Sequence, residues 1–298
     1  MVEYKYEIAE WKVVVRFAGE DEVVNIGLLP SFVPFRNDST ACAELFEITV
    51  DQGLGFVPET ECKRIRSCET GNGTIEVDQL ADGGYQYLIK DIMGESCALL
   101  QCNVSFTDYR CKVLANDKSN NSFGLNNAMM LAFAFSGALQ GTLLIHASLV
   151  RHQGYGYAFI APSGTGKSTQ TANWLRMIPE CDLMNDDNPV LRVVDGKAVI
   201  FGSPWSGKTP CYRQVKAPLG AVTKIVRDPD NFVKPMGHIE AFKELLVSCS
   251  VMKWDNATFG GVCDTVSAVV ERVGMFALHC TADPQSAVVC HQAISVKA

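Results

Sequence analysis

The sequence predicts an α/β protein with a mixed β-sheet, preceded by a smaller β-rich N-terminal module, and three observations carry that expectation. Residues 1 to about 122 alternate short β-type runs with turn signals; ANDKSNNSFGLNN, at 115–127, then interrupts them with a polar stretch; and from 126 onward helical and extended segments alternate around a glycine-rich turn. Two domains are expected, 1–122 and 123–298.

In the first region WKVVVRF, FEITV, TIEVDQL, YQYLIK and ALLQCNVSF are rich in β-branched and aromatic residues, and AGED, ETGNGT and ADGG separate them, so mostly antiparallel pairing follows. The next segment, AMMLAFAFSGALQGTLLIHASLV at 128–150, meets a crude membrane-span length test. Gly137, Gln140 and Gly141 divide it instead into a helix, roughly 126–139, and a buried strand, roughly 142–150. No membrane partner is expected. YAFI then reads as a strand and TANWLRMI as an amphipathic helix; DLMNDDNPVLRVVDGKAVIFGSPW reads as strand, turn and strand, APLGAVTKIVRDP as a strand and HIEAFKELLVSCSVM as a helix. There is no internal repeat or low-complexity tract.

Composition narrows the function classes. The 298 residues are 47% hydrophobic and 20% charged, enough to bury a sizeable core. A formal net charge of −7 and the lack of any dense basic run argue against nucleic acid as a partner. The 12 cysteines are scattered and form no C-x-x-C pair, and MVEYKYEIAEWKVVV carries acids where an export signal would carry positive charge. Reduced thiols and a cytoplasmic location are the expectation.

The most informative stretch is YAFIAPSGTGKSTQTANWL, residues 157–175. APSGTGKS, 161–168, has the spacing of the phosphate-binding pattern G-x-x-x-x-G-K-[ST], with Ala161 in place of the first glycine. Pro162 holds its predecessor in extended backbone, where a Cβ is tolerated, so the departure is mild. Backbone N–H groups of Gly164, Thr165 and Gly166, with the N-terminus of the following helix, are expected to cradle a polyphosphate. Lys167 supplies a point charge for the β- and γ-phosphates, and the Ser168 hydroxyl is placed for magnesium. The expected nucleotide-binding set is Ser163, Gly164, Thr165, Gly166, Lys167, Ser168 and Thr169, with ATP and Mg²⁺ as cofactors.

Such a loop serves kinases, GTPases, motors and sensors alike. N-K-x-D and L-S-G-G-Q are both missing, which lowers the GTPase and transporter readings. LMNDDNPVLRV, 183–193, places Asp186 and Asp187 at the end of an apolar stretch, and adjacent residues on extended backbone point oppositely. One acid can then face a metal while its neighbour faces an acceptor; an acidic turn is the alternative.

Together, IHASLVRHQGYGYAFIAPSGTGKST and LMNDDNPV resemble the catalytic domain of bacterial HPr kinase/phosphorylase, which belongs with ATP-dependent phosphoenolpyruvate carboxykinase in one P-loop superfamily. The resemblance covers roughly residues 142–195 and lies in the order of His146, Gly154, Gly156, the loop and the acid pair. It implies a P-loop kinase domain of that type and a phosphotransferase in which Asp186 is the general base and Asp187 supports the metal. His146 matches a histidine near the phosphates, with a core histidine as the alternative. GSPWSGK, within 201–214, resembles a substrate-facing loop of these proteins, in which Lys208 and Arg213 would stabilise the transferring phosphoryl group; a surface turn is the alternative.

The N-terminal region does not resemble the regulatory domain of the bifunctional enzyme, and its glycine-rich C-terminal signature is missing, so HPr is not the expected acceptor. The second-metal ligands and oxaloacetate-binding arginine of a carboxykinase are not evident either. The expectation is transfer of the γ-phosphate of ATP to a hydroxyl of a small molecule, peptide or protein. A nucleotide-binding regulatory or partner-binding module with little turnover is the alternative, and a homo-oligomer stays open.

Overall fold

The computed structural model describes residues 1–19, 24–207 and 209–296, and all elements are counted among these. Its architecture is mixed α/β and rich in strands, with one mixed sheet in each of two units, Met1–Ser136 and Gly137–Ala298.

In the first unit Val2–Ile8 (β1) and Trp11–Phe17 (β2) form a hairpin whose two turn residues, Ala9 and Glu10, both have positive φ, 50° and 62°. That turn matches the right-handed twist of its strands. Then follow Glu44–Val50 (β3), Cys62–Thr70 (β4), Gly73–Leu80 (β5), Tyr85–Lys90 (β6), Ser96–Cys102 (β7) and Asp108–Val113 (β8). They lie in the order β1-β2-β3-β8-β7-β6-β5-β4; β2–β3 and β3–β8 are parallel and the remaining pairs antiparallel. Exposed Lys63, Arg64, Arg66 and Glu69 keep the edge strand β4 solvated.

Lys118–Ala138 (α1) starts earlier than the sequence suggested. The polar segment 115–127 supplies its first turns, because Asp117 caps them: its side chain accepts from Asn120 N at 3.0 Å and its carbonyl from Asn121 N at 3.1 Å. Gly124 lets the helix approach the sheet of its own unit, since a Cβ there would lie 2.6 Å from the Cys97 carbonyl oxygen. The division between units falls at the end of this helix and not at its polar start. Among the described residues no helix is long and apolar enough to cross a membrane.

The second unit contains Thr142–Leu144 (β9), Ala147–His152 (β10), Tyr155–Ile160 (β11), Lys167–Met177 (α2), Asp182–Asp187 (β12), Val190–Val194 (β13), Lys197–Phe201 (β14) and Lys216–Arg227 (β15). Phe232–Pro235 (β16), His238–Ser248 (α3), Asn256–Val270 (α4), Gly274–Cys280 (β17) and Gln285–Ile294 (α5) complete it. The strand expected over 142–150 is thus two strands. The sheet runs β12-β10-β11-β15-β14-β13-β9, and β17 lies against the C-terminal half of β15.

Alternation along the central strands sorts the core onto two faces. Leu149 and Ala158 face Leu245 of α3 and Val262, Val266 and Val269 of α4. Their neighbours Val150, Tyr157 and Phe159 face Trp174 and Ile178 of α2 and Ala287, Cys290 and Ile294 of α5. Because β11, β15 and β17 are mutually parallel, their C-terminal ends share one edge, and the antiparallel pairs Ala147↔Ile160 and Ala147↔Asp187 bring the end of β12 to the same edge.

Candidate active site

The glycine-rich turn leaves β11 at that edge and returns as α2, so strand, loop and helix follow one another. Gly164 and Gly166 adopt φ of 76° and 130°, and Gly166 caps the helix. A Cβ built on either would meet nothing within 4 Å. The glycines are therefore required by conformation and leave open a space beside the backbone, which suits a phosphate. Ser163, Gly164, Ser168 and Thr169 are exposed, and Thr165 is half-buried. The Thr165 amide, expected to face a phosphate, here donates to Pro162 O at 3.2 Å and closes the turn.

Lys167 is buried, and its position is set by two acceptors: Ala161 O at 3.0 Å and His146 Nε2 at 2.7 Å. Burial pushes its pKa down from the ordinary lysine value, opposed by Asp187 and Asp186. An ammonium has only donors, so Nε2 of His146 accepts and the ring proton sits on Nδ1. Nδ1 in turn faces Asp187 Oδ1 at 2.9 Å. His146 itself joins β9 to β10, with its N–H donating to Ser248 O at 2.7 Å. Its side chain is 39% exposed, so it is not a core histidine.

The two acids of β12 diverge as extended backbone requires. Asp186, 4% exposed, accepts from Ser148 Oγ at 2.5 Å and from Ser168 Oγ at 3.1 Å. Asp187 turns to His146 and accepts from Asn188 Nδ2 at 2.9 Å, with its backbone at φ 137°. A non-glycine residue at that φ is strained, and such strain persists only where the surroundings over-determine it.

Those surroundings come from the segment after β14. Ser206 Oγ donates to Asp186 O at 3.0 Å, Gly207 N donates to the same carbonyl, and Ser206 bridges Asp187. Fully buried Asn185 ties the segment down: its Nδ2 lies 3.2 Å from both Ser203 Oγ and Trp205 O, and its Oδ1 accepts from Asn188 N at 3.0 Å. The GSPWSGK loop thus packs on the acid pair, although Lys208 lies outside the described residues. Arg213 does not join the site. Its guanidinium donates to Asp182 Oδ2 at 2.8 Å and to Leu183 O, at the opposite end of β12 from Asp187, about 16 Å along a strand of that length. Asp182 is also held by Arg151 at 2.9–3.0 Å, so two arginines share one carboxylate and keep its pKa low despite burial.

Four contributors had weak sequence signals or none. Ser148 and Asn185 are ordinary polar residues inside strands. Arg227, at the end of β15, donates to Gly164 O and to Thr165 O at 3.3 Å, and Gln170 sits one turn into α2. Beside them a cavity of about 580 Å³ opens on the loop.

Among the described residues no group of three or more His, Cys, Asp and Glu side chains is arranged as a metal cage. One carboxylate and one hydroxyl, Asp186 and Ser168, nevertheless form the hard-oxygen donor set that suits magnesium, which keeps waters and phosphate oxygens as further ligands. The residues present therefore fit both a polyphosphate and its metal. No family model matches the sequence, and no curated protein matches it at a significant level.

Proposed function

We propose that this protein is a P-loop phosphotransferase of HPr kinase-like type, moving the γ-phosphate of ATP to a hydroxyl of a small molecule, peptide or protein. The observation that carries the reading is the 3.1 Å contact between the loop hydroxyl of Ser168 and the buried Asp186 carboxylate, with Lys167 immediately beside them. A chance glycine turn has no reason to meet a buried acid from a separate strand. The twelve free cysteines accord with a reducing, cytoplasmic setting.

The loop amides and Lys167 would bind and orient the β- and γ-phosphates, Lys167 exchanging His146 Nε2 for phosphate oxygens. Ser168 and Asp186 would hold magnesium, which supplies charge neutralisation on the β- and γ-phosphate oxygens. The acceptor side then falls to Asp187, 30% exposed and joined to His146. Asp187 would take the acceptor's proton, and His146 would fix its carboxylate. These roles are the reverse of those the resemblance implies, because the hydroxyl pair Ser148 and Ser168 engages Asp186 and not its neighbour.

The test begins with a screen of metabolites and lysate for transfer of labelled γ-phosphate. Single-turnover assays of Asp186→Asn and Asp187→Asn across a magnesium titration then divide the roles. Asp187→Asn should keep Mg-ATP binding while transfer falls at least about a hundredfold, the low end for general-base catalysis. Asp186→Asn should instead raise the magnesium requirement. The opposite pattern restores the roles implied by the resemblance, and tight ATP binding with no transfer to any acceptor supports the low-turnover module.

A further inference from the structure

Gly154 and Arg213, both singled out in the sequence, take no part in the site around the phosphate loop. Gly154 turns β10 into β11, at the end of β11 away from the loop, and the pair Arg151↔Asp182 and the start of β15 at Lys216 lie at that same far edge of the sheet. A second cavity, of about 480 Å³, opens there, lined by Arg151, Gly154, Glu180, Asp182 and Lys216 with His152 and Gln153. We propose that this cavity binds a small anion through a phosphate or carboxylate group, at a site separate from the phosphate loop. The site is independent of the phosphotransferase reading.

Charge is the first argument. Asp182 accepts from Arg151 Nε at 3.0 Å, from Arg151 Nη2 at 2.9 Å and from Arg213 Nη1 at 2.8 Å, so two guanidiniums share one carboxylate. With Lys216 and Glu180 added, three cations face two acids, which leaves one positive charge unmatched on a chain whose formal net charge is −7. The three partners of that shared contact are only about a third exposed, so water screens the surplus charge incompletely. Donors are the second argument. A guanidinium carries five N–H groups in a fixed fork, and neither Arg151 Nη1 nor Arg213 Nη2 is used in the bonds to Asp182. Asp182 holds both forks in place beforehand, which lowers the ordering cost of binding. The lining also sets the size and polarity of the ligand. Among the described lining residues there is no aliphatic side chain and no Phe, Tyr or Trp, so nothing there would hold a nucleoside or an acyl chain. Gly154, at φ 81°, has no Cβ to narrow the space, and exposed Glu180 repels an extended polyanion.

Nitrogen-15 NMR of arginine side chains tests this on the full chain, because it reads the cavity apart from the phosphate loop. The Arg151 Nε–H resonance, assigned by its loss in Arg151→Gln, is followed while inorganic phosphate or succinate is added at constant ionic strength, so that general screening does not imitate a site. It should shift and saturate with at least one of the two anions, half-saturating at or below about 10 mM, and the tighter anion identifies the ligand as phosphate or carboxylate. Lys216→Gln, at an exposed position on the rim, should raise the half-saturating concentration at least about threefold, whereas Lys167→Ala should leave it within about twofold. An Arg151 resonance that neither anion moves, a shift that grows without saturating, or a Lys216→Gln chain that binds as tightly as the wild type would overturn the site. A response abolished by Lys167→Ala would overturn it too, by placing the anion on the phosphate loop.

Discussion

Lys167 and Asn185 show how much a single side chain settles here. The Lys167 ammonium is buried between Ala161 O and His146 Nε2, and among the described residues Arg227 is the other cation that touches the loop, through its carbonyls. Lys167→Ala should therefore weaken Mg-ATP binding at least about tenfold, since a charge-assisted contact is worth more than about 1.4 kcal/mol. Equal affinities by calorimetry would refute it. Asn185 works through backbone: one amide fastens Ser203, Trp205 and Asn188 beneath the acid pair. Asn185→Ala leaves buried groups unpaired and should cost about 1–3 kcal/mol in denaturant unfolding. Its transfer rate should fall further than stability alone explains, because the turn that strains Asp187 is released. A variant with wild-type stability and transfer would show that the segment is held by other contacts.

At the scale of elements, the helices α2 and α5 pack together over one sheet face around Trp174, which is fully buried against Tyr157 and Phe159 with ring centroids 5.2 and 5.5 Å away. Trp174→Ala should cost about 3–5 kcal/mol, the usual range for an aromatic deleted from a core. The same seam holds His291 of α5 against His152 of β10, ring nitrogens 3.1 Å apart. Burial first, and His152 second, push the His291 pKa below the ordinary imidazole value of 6.5. With a lowered folded-state pKa, the folded chain binds fewer protons than the unfolded one. Stability is then complete above about pH 6.5 and is lost as pH falls through the lower folded value. His291→Gln should flatten that acid limb, so thermal melts at pH 7.5 and 5 should differ less for the variant than for the wild type. Identical shifts would remove His291 as the cause.

Across the whole molecule, each unit has its own sheet, and every residue of the candidate site belongs to the second. A fragment of residues 137–298 should fold and bind Mg-ATP within about threefold of the full chain, as expected of a unit with its own core. A fragment that aggregates, or that folds without nucleotide affinity, would make the first unit part of the binding machinery.

Local chemistry in the sequence determined the strand, glycine turn and helix of the phosphate loop, the divergence of Asp186 and Asp187, and the β-rich character of the first region. Each depends on neighbours along the chain: glycines that take positive φ, a lysine and serine opening a helix, side chains alternating on extended backbone. The tertiary structure alone decided that Asp186 meets Ser168, that His146 lies between Lys167 and Asp187, and that Arg213 belongs to the far end of β12. These contacts join residues 18 to 41 positions apart through strand register, and register follows from how both faces of the sheet are buried, which no local pattern records. The start of α1, at Lys118, is likewise a tertiary matter. Its first turns are polar because their side chains bond to the protein itself, Asn121 Oδ1 accepting from Ala115 N at 3.1 Å and Ser122 Oγ donating to Leu28 O at 2.6 Å, and a capping Asp117 with a helix packed on its own sheet outweighs a composition that reads as linker.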